Sequence, residues 1–437
     1  MAAELRAGIR SGRIAAGTRL PSSRDLSHDL GLSRGVVVGA YEQLIAEGFL
    51  VARRGDGTRV TPVAARSAQV SPSSGGSAAP GSPAPGPPVR YDLWPGTPDL
   101  AAFPRTAWAA AVRHALRELP NAALGYPDPA GVHVLRTELA AYLGRVRAAA
   151  VEPERLVITA GVAQGLYAVV RGLAGQGPLA VEEPTSARQL PLLRAAVAVD
   201  EEGIDVAALA RTGARAVLVT PAHQYPTGVV LSPGRRAALL AWARDTGAIV
   251  LEDDYDAEFR YDREPVGCLQ GIDPERVVLL GSVSKSLGPG LRLGWAAAPA
   301  GLAARIRDFR ATLDLGSPVI EQYALARLIS SGAYDSHLRT MRRSYRDRRD
   351  ALVGALREHV PAALVRGISA GLHVYVELPC DTGTAAETAA ETAAAQAAME
   401  GIRCAVAGPG LVLGYARLTP ARLADAAAAL GRALGRS

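Results

Sequence analysis

Gly281-Ser282-Val283-Ser284-Lys285 ends an apolar run with two hydroxyls and an amine, and Arg292 follows seven residues after the lysine. Lys285 is the only lysine among 48 Lys+Arg residues; all the others are arginine. An arginine stays protonated and cannot form an imine, whereas a desolvated lysine can lose its proton and attack an aldehyde. A lysine kept in so arginine-biased a chain is either a surface leftover or an amine in use. Its neighbours favour use, because Ser282, Ser284 and Arg292 together can bind a phosphate dianion through charge-assisted hydrogen bonds.

Three other apolar runs end in groups that complement this one. Thr159-Ala160-Gly161-Val162-Ala163 joins a strand to a helix whose first N–H groups, at Val162 and Ala163, suit a phosphate. Glu252-Asp253-Asp254-Tyr255 ends a strand with acids and a phenol. Thr220-Pro221-Ala222-His223-Gln224-Tyr225-Pro226-Thr227-Gly228 ends another. A lysine able to form an imine, a phosphate cradle and a carboxylate for a pyridinium nitrogen are the requirements of pyridoxal 5′-phosphate (PLP). Each piece alone is common, and Asp-Asp-Tyr is often a plain strand end or a metal site. The four in this order are specific.

The elements that must carry these groups are legible as alternating apolar strands and helices from Tyr91 onward. Strands are expected at Leu156–Thr159, Leu179–Glu182, Ala216–Thr220, Ala248–Glu252, Val277–Gly281 and Gly294–Ala298. That alternation implies an α/β sheet, with the site at the strand ends. Beyond about Gly301 the pattern is more helical, with short strands at Leu372–Glu377 and Leu411–Leu413, and reads as a smaller α+β domain. The alanine-rich repeat Thr382–Met399 favours a helix.

The first 62 residues have a different character. Glu4–Ser11 reads as a helix closed by Gly12. Ser22 or Ser23 can cap a second, with Leu26 and Leu30 on one face. After the Gly31-Leu32 turn, Ser33 caps a third helix through Glu47, with Val37, Tyr41, Leu44 and Ile45 at core spacing. Phe49–Val60 follows as two strands around Arg53-Arg54-Gly55-Asp56-Gly57. This is a winged helix-turn-helix pattern. Ser33, Arg34 and Gly35 would open the recognition helix, and Arg24, Arg53, Arg54 and Arg59 would meet phosphates or the minor groove, with Gly57 turning the wing. The competing reading is a small protein-binding module, but basic residues fall at both the helix start and the wing. Residues 1–62 hold nine arginines against six acids, which is half of the net charge of +6.

Between the two parts, residues 63–90 are Pro/Ser/Gly/Ala-rich with no acid and almost no large apolar residue, a composition that cannot bury enough surface to fold. Such a tether would span roughly 30 Å as a coil and roughly 87 Å fully extended as polyproline II. Three widely spaced cysteines, Cys268, Cys380 and Cys404, make neither a disulfide framework nor a zinc pattern. No signal core and no long apolar run appears, so a reduced, cytoplasmic protein without a membrane span is expected.

The segment SGRIAAGTRLPSSRDLSHDLGLSRGVVVGAYEQLIAEGFL resembles the GntR family of bacterial DNA-binding domains. That family has about one more turn before Leu5, so either the first helix is short or the assigned start is late. EDDYDAEFRYD, TPAHQYPTG, LGYPDPAG and SVSKSLGPGLRLGW resemble a fold-type I aminotransferase. The whole chain is similar to the MocR subfamily of GntR-type transcriptional regulators. The resemblance implies a winged helix-turn-helix domain (1–62), a linker (63–90), a PLP-binding aminotransferase-like large domain (91–300) and a small C-terminal domain (301–437). By position, Lys285 would hold the cofactor as an imine, Asp253 would pair with the pyridine nitrogen and Tyr255 would bond the ring oxygen. Gly161, Val162, Ala163, Ser282, Ser284 and Arg292 would hold the phosphate, and His223 belongs to the cofactor site. Tyr126 would reach the phosphate of a second subunit in a head-to-tail, domain-swapped homodimer.

Three departures bear on activity. Ser186 stands where a ring-stacking aromatic is expected, Tyr225 replaces the asparagine of Asn-Pro-Thr-Gly, and Val412 stands where an arginine would clamp a substrate carboxylate. Arg417 would compensate only in a different register. The expectation is therefore a sensor: a DNA-binding regulator acting on operator DNA, with PLP or an amine that reacts with it as the small-molecule effector, controlling vitamin B6 or amine metabolism. Two alternatives stand beside it. One is a working aminotransferase with a vestigial head; the other is a regulator whose dead PLP site serves only dimerisation.

Overall fold

The computed structural model describes residues 1–53, 56–62, 88–173, 177–186, 195–256, 258–261, 267–379 and 384–435. The chain divides into two compact units, Met1–Gly86 and Pro87–Ser437.

In the first unit, helices α1 (Ala2–Arg10), α2 (Ser23–Asp29) and α3 (Arg34–Ala46) precede an antiparallel hairpin of β1 (Leu50–Arg53) and β2 (Gly57–Val60). Ser22 caps α2 reciprocally with Asp25: its Oγ accepts from Asp25 N at 3.2 Å and donates to the Asp25 carboxylate at 2.7 Å. Ser33 occupies the N-cap of α3 but makes no side-chain capping bond. Ile9, Val37, Tyr41, Leu44, Leu50 and Val60 form the core. Ile45 and Leu30, expected inside, are exposed. Ile45 lies one residue round the helix from Leu44 and so off the buried face, and α2 has already ended before Leu30.

The second unit is built on a sheet of eight strands among the described residues. They are β4 (Leu156–Thr159), β5 (Leu179–Glu183), β6 (Ala195–Asp200), β7 (Gly203–Ile204), β8 (Ala216–Val219), β9 (Ile249–Asp253), β10 (Val277–Ser282) and β11 (Gly294–Ala297), in the order β4-β11-β10-β9-β8-β5-β6-β7. The run β10-β9-β8-β5-β6 is parallel. Its central strands read as unbroken apolar runs because both faces are buried. Leu166, Val169 and Ile306 pack on one face, and Leu239, Leu240 and Trp242 on the other. The strand Ala195–Asp200 was not expected. It is alanine-rich, and only Val197 is buried.

The C-terminal third adds a four-stranded antiparallel sheet, β12 (Leu364–Arg366), β13 (His373–Glu377), β15 (Ala405–Ala407) and β16 (Gly410–Gly414), in the order β12-β13-β16-β15. It packs on the long helices Ala333–His359 and Pro420–Leu434. The short strand β3 (Tyr91–Asp92) pairs with β14 (Ile402–Arg403) rather than with the large sheet. From there Leu93 N donates to Arg403 O and Gly414 N to Leu93 O, which holds the following turn, Trp94 to Gly96, against β16. The alanine repeat is helical over Thr384–Met399. No helix among the described residues is long and apolar enough to cross a membrane.

Candidate functional site

Strand register gathers the sequence motifs. Thr159 on β4 pairs with Gly294 on β11, Gly294 with Ser282 on β10, and Leu280 on β10 with Asp253 on β9. With Val219 of β8 paired to Glu252 of β9, four motifs far apart in the chain end along one edge of the sheet. The crossing is tight: a Cβ on Gly294 would lie 2.7 Å from Gly161 Cα and 2.8 Å from Gly281 O.

Gly161, at φ +88°, is the N-cap of the helix Val162–Gly172. The first N–H groups of a helix, here those of Val162 and Ala163, have no acceptor one turn earlier, and they sit at its positive end. Arg292, itself left-handed at φ 51°, donates to Ala160 O and so brings its guanidinium beside that helix start. Ser284 N donates to Ser282 Oγ at 3.3 Å, which fixes the hairpin of hydroxyls ahead of the lysine. Arg292, the Ser282 and Ser284 hydroxyls and the helix start thus lie at the ends of neighbouring strands.

Lys285 follows, with Nζ donating to the carbonyl of Gly96 at 2.5 Å. The Asp253 carboxyl, at the end of β9, is 8% exposed. Burial pushes it up to about 7, with the Lys285 charge working against that shift. Such a carboxylate stays ionised best with a cation against it, which is what a pyridinium N–H supplies. Two residues on, the Tyr255 hydroxyl lies 3.0 Å from His223 Nδ1, and Asp256 Oδ2 lies 2.9 Å from the same nitrogen. Burial first, then the Asp256 charge, raises the phenol well above its ordinary acidity range.

The expected gaps are filled in ways the sequence did not disclose. Tyr225, in place of the asparagine, packs edge-on against Tyr255 (6.1 Å, 88°) and against His373 of β13 (5.2 Å, 65°). His373 also lies 5.0 Å from the His223 ring. Burial, and then His223, pushes the His373 imidazole down to about 3. Gln224 is scaffolding. Its amide donates to Pro184 O (2.9 Å) and Tyr225 O (2.8 Å), and its oxygen accepts from Thr227 N (3.0 Å) and Oγ1 (2.6 Å). Ser186 is half-buried; four residues before it, the Glu182 carboxyl accepts from Thr220 N and Oγ1.

Val412 is fully buried in β16, paired with Tyr375. Leu411 and Leu413 join the core beneath the long helices, so strand alternation turns Val412 to the other face. Arg417 is engaged by Asp92. Tyr126 is 90% exposed. The turn after it is pinned by Asp128, which accepts from Ala130 N at 2.8 Å and pairs with Arg136 at 3.2 Å.

On the first unit, Arg24, Ser33, Arg34, Gly35 and Arg53 are exposed, and nothing lies within 4 Å of a Cβ built on Gly35. That leaves the start of α3 open to a close backbone approach. Gly57, at φ +78°, closes the hairpin. Arg59 departs from expectation: its guanidinium is held by Asp56 (3.0 and 2.9 Å) and Gly17 O (2.9 Å), so it braces the wing. Arg54 lies outside the described residues.

Comparison with known proteins matches residues 1–60 to the family model "Bacterial regulatory proteins, gntR family" and residues 97–429 to "Aminotransferase class I and II". The chain is 36% identical to the HTH-type pyridoxine biosynthesis transcriptional regulator PdxR of Corynebacterium glutamicum, over 86% of this chain and 82% of the relative. It is 32% identical to the probable rhizopine catabolism regulatory protein MocR of Rhizobium meliloti, over 82% and 76%. Among solved structures it is similar to LysN, the alpha-aminoadipate aminotransferase of Thermus thermophilus, complexed with N-(5′-phosphopyridoxyl)-L-leucine. The TM-score is 0.69 at 28% identity, over 79% of this chain and 92% of that one.

Proposed function

Because the chain belongs to the MocR-type members of the gntR family of bacterial regulatory proteins, in which an aminotransferase class I and II domain follows the DNA-binding head, we propose that it switches transcription with PLP, or an amine that reacts with it, as effector. It is a PLP-binding, DNA-binding transcriptional regulator. The finer reading concerns the signal, the residues and the assembly.

The residues fit the cofactor. The start of the helix Val162–Gly172, with Ser282, Ser284 and Arg292, would receive the phosphate; Asp253 would face the ring nitrogen; Tyr255 and His223 would lie beside the ring oxygen; Lys285 would take the aldehyde. When bound, PLP supplies an electrophilic carbon and an electron-accepting ring.

The observation that carries the sensor reading is Val412. A carboxylate clamp needs a guanidinium there, and the position holds a buried aliphatic side chain in mid-strand. Arg417, the alternative, is already paired with Asp92. The phosphate, imine and pyridinium contacts do not depend on either. On this reading the protein keeps what binding requires and has no guanidinium at the position of the carboxylate clamp.

We take it to act in the cytoplasm on operator DNA as a homodimer, with Tyr126 reaching the second copy, and to control genes of vitamin B6 or amine metabolism. The name of the pyridoxine biosynthesis regulator supports that choice of pathway. Effector occupancy would shift the population of DNA-competent arrangements. The test is a mobility-shift assay on the DNA upstream of its own gene and of its divergent neighbour, with and without PLP. Affinity should change with PLP for the wild type and not for Lys285→Ala. Equal responses from both chains would sink the proposal.

A further inference from the structure

Asp256 and His223 are almost wholly buried, at 1% exposure each, and neither is needed to bind a phosphate, an aldehyde or a pyridine nitrogen. Their hydrogen bonds determine which nitrogen of His223 carries the proton. Nδ1 lies 2.9 Å from Asp256 Oδ2, whereas Nε2 is buried with no hydrogen-bond partner among the described residues. Nε2 faces the glycine backbone: a Cβ on Gly228 would lie 3.0 Å from it, and one on Gly367 3.4 Å. A proton on Nε2 would be a buried donor with no acceptor, and would leave a bare Nδ1 lone pair against a carboxylate. Nδ1 therefore carries the hydrogen and donates it.

That assignment fixes Tyr255 in turn. Its oxygen, 3.0 Å from Nδ1, shares the imidazole hydrogen as an acceptor. The phenol hydrogen is left to donate, to Asp256 or to an acceptor brought into the pocket. Gly371 closes the other side, where a Cβ would lie 2.3 Å from His223 Cε1 and 2.6 Å from Asp256 Oδ2. The pair has no room to rotate away.

We propose that Asp256 and His223 are the positioning pair of the cofactor site: Asp256 fixes the tautomer and plane of His223, and His223 Nδ1–H supports the Tyr255 oxygen so that its hydroxyl donates to the phenolic oxygen of PLP. The pair stands in for the amide donor lost where Tyr225 replaces asparagine. The proposal rests on the reading that Lys285 and its neighbours hold PLP. The other charged group bearing on Tyr255 is Asp253 on its own strand end, and Lys285 after β10 and Glu182 on β5 bear in turn on Asp253. His373, behind His223, is held down to about 3 and stays neutral throughout the range of interest.

A donor to the phenolic oxygen stabilises its negative charge and competes with the imine proton, so weakening it raises the pH at which the visible chromophore deprotonates. The test is an absorption pH titration of the full chain loaded with PLP, with PLP affinity measured alongside by fluorescence. Asp256→Asn and His223→Leu should raise the midpoint by about half a pH unit or more. His223→Asn, whose amide N–H stands where Nδ1–H stood, should return it towards the wild-type value. Unchanged midpoints in His223→Leu and Asp256→Asn chains of wild-type melting temperature overturn the proposal. So does a shift in His223→Asn as large as in His223→Leu; if Asp256→Asn does not fold, the two His223 variants decide. A visible band that survives Lys285→Ala overturns instead the reading of the site beneath it.

Discussion

The guanidinium of Arg292 occupies the space that a side chain at Gly161 would need. A Cβ on Gly161 would lie 3.1 Å from Nη2 and 3.2 Å from Nη1, and Gly161 is at φ +88°. The Arg292 charge can therefore lie against the N-terminus of the helix because position 161 is bare, and in the proposed site it would meet the phosphate there.

Gly161→Ala and Arg292→Gln should accordingly weaken PLP by different routes. The alanine meets backbone strain of about 1–2 kcal/mol and displaces the guanidinium; Arg292→Gln removes charge-assisted bonds worth about 1.5–3 kcal/mol. Either should raise the dissociation constant about tenfold or more, measured by quenching of intrinsic fluorescence. Affinity within twofold of wild type in Arg292→Gln would remove it from the phosphate site.

Lys285→Ala should abolish the visible absorbance of the PLP-loaded chain. Borohydride treatment of the wild type, followed by digestion and mass spectrometry, should find the pyridoxyl mass on the peptide containing Lys285. A label confined to the N-terminal amine would contradict the assignment.

The cofactor-free chain should lose stability as pH rises through neutrality. Asp253, Glu182 and Glu252 are each pushed up to about 7 by burial, above the unfolded carboxyl value of about 4. Folding therefore favours their protonated forms. Their contribution is fully present below about pH 4 and is lost as pH climbs through the folded value near 7. The melting temperature should fall from about pH 5 to about pH 8, less steeply in Asp253→Asn, and PLP should stabilise the wild type more at the higher pH. Equal slopes for wild type and Asp253→Asn would show that this carboxyl does not titrate in that window.

Arg24→Ala should weaken operator binding and lower the salt slope by about one, whereas Arg59→Ala should act chiefly by lowering the melting temperature of the head. Fluorescence anisotropy at several salt concentrations, beside calorimetry, separates the two. Identical salt slopes for Arg24→Ala and wild type would take Arg24 off the phosphates.

With 2-aminoadipate, other amino acids and 2-oxo acids, the wild type should show no sustained multiple turnover, because nothing at Val412 holds a carboxylate. Rapid turnover in a coupled assay, with no salt-sensitive DNA binding, would make the protein an aminotransferase.

The groups legible in the sequence are those whose placement depends only on a strand ending. Lys285, Asp253 and Gly161 each close an apolar run, and the runs themselves announce a doubly covered sheet. His373 was not legible, because it joins the site through the packing of β13 on the loops after β8 and β9, which no local pattern encodes. The same holds for Asp92, whose capture of Arg417 depends on the pairing of β3 with β14. Ala195–Asp200 escaped because a strand built of alanine and buried at one valine lacks the β-branched run by which strands are recognised. Asp256 sat in plain view, but its role could be assigned only once His223 was found beside it.

The bond from Lys285 Nζ to Gly96 O has a practical side. The sequence offers a single lysine ε-amine, and it is half-buried. Amine-directed labels, crosslinkers and sensor-chip couplings have no other lysine to consume. Among lysines, reagents of that class can react only at Lys285. Attachment for binding measurements belongs on a tag, because Cys268 is buried and burial pushes the Cys404 thiol up to about 11, and the extent of labelling at Lys285 becomes a readout of how accessible its amine is.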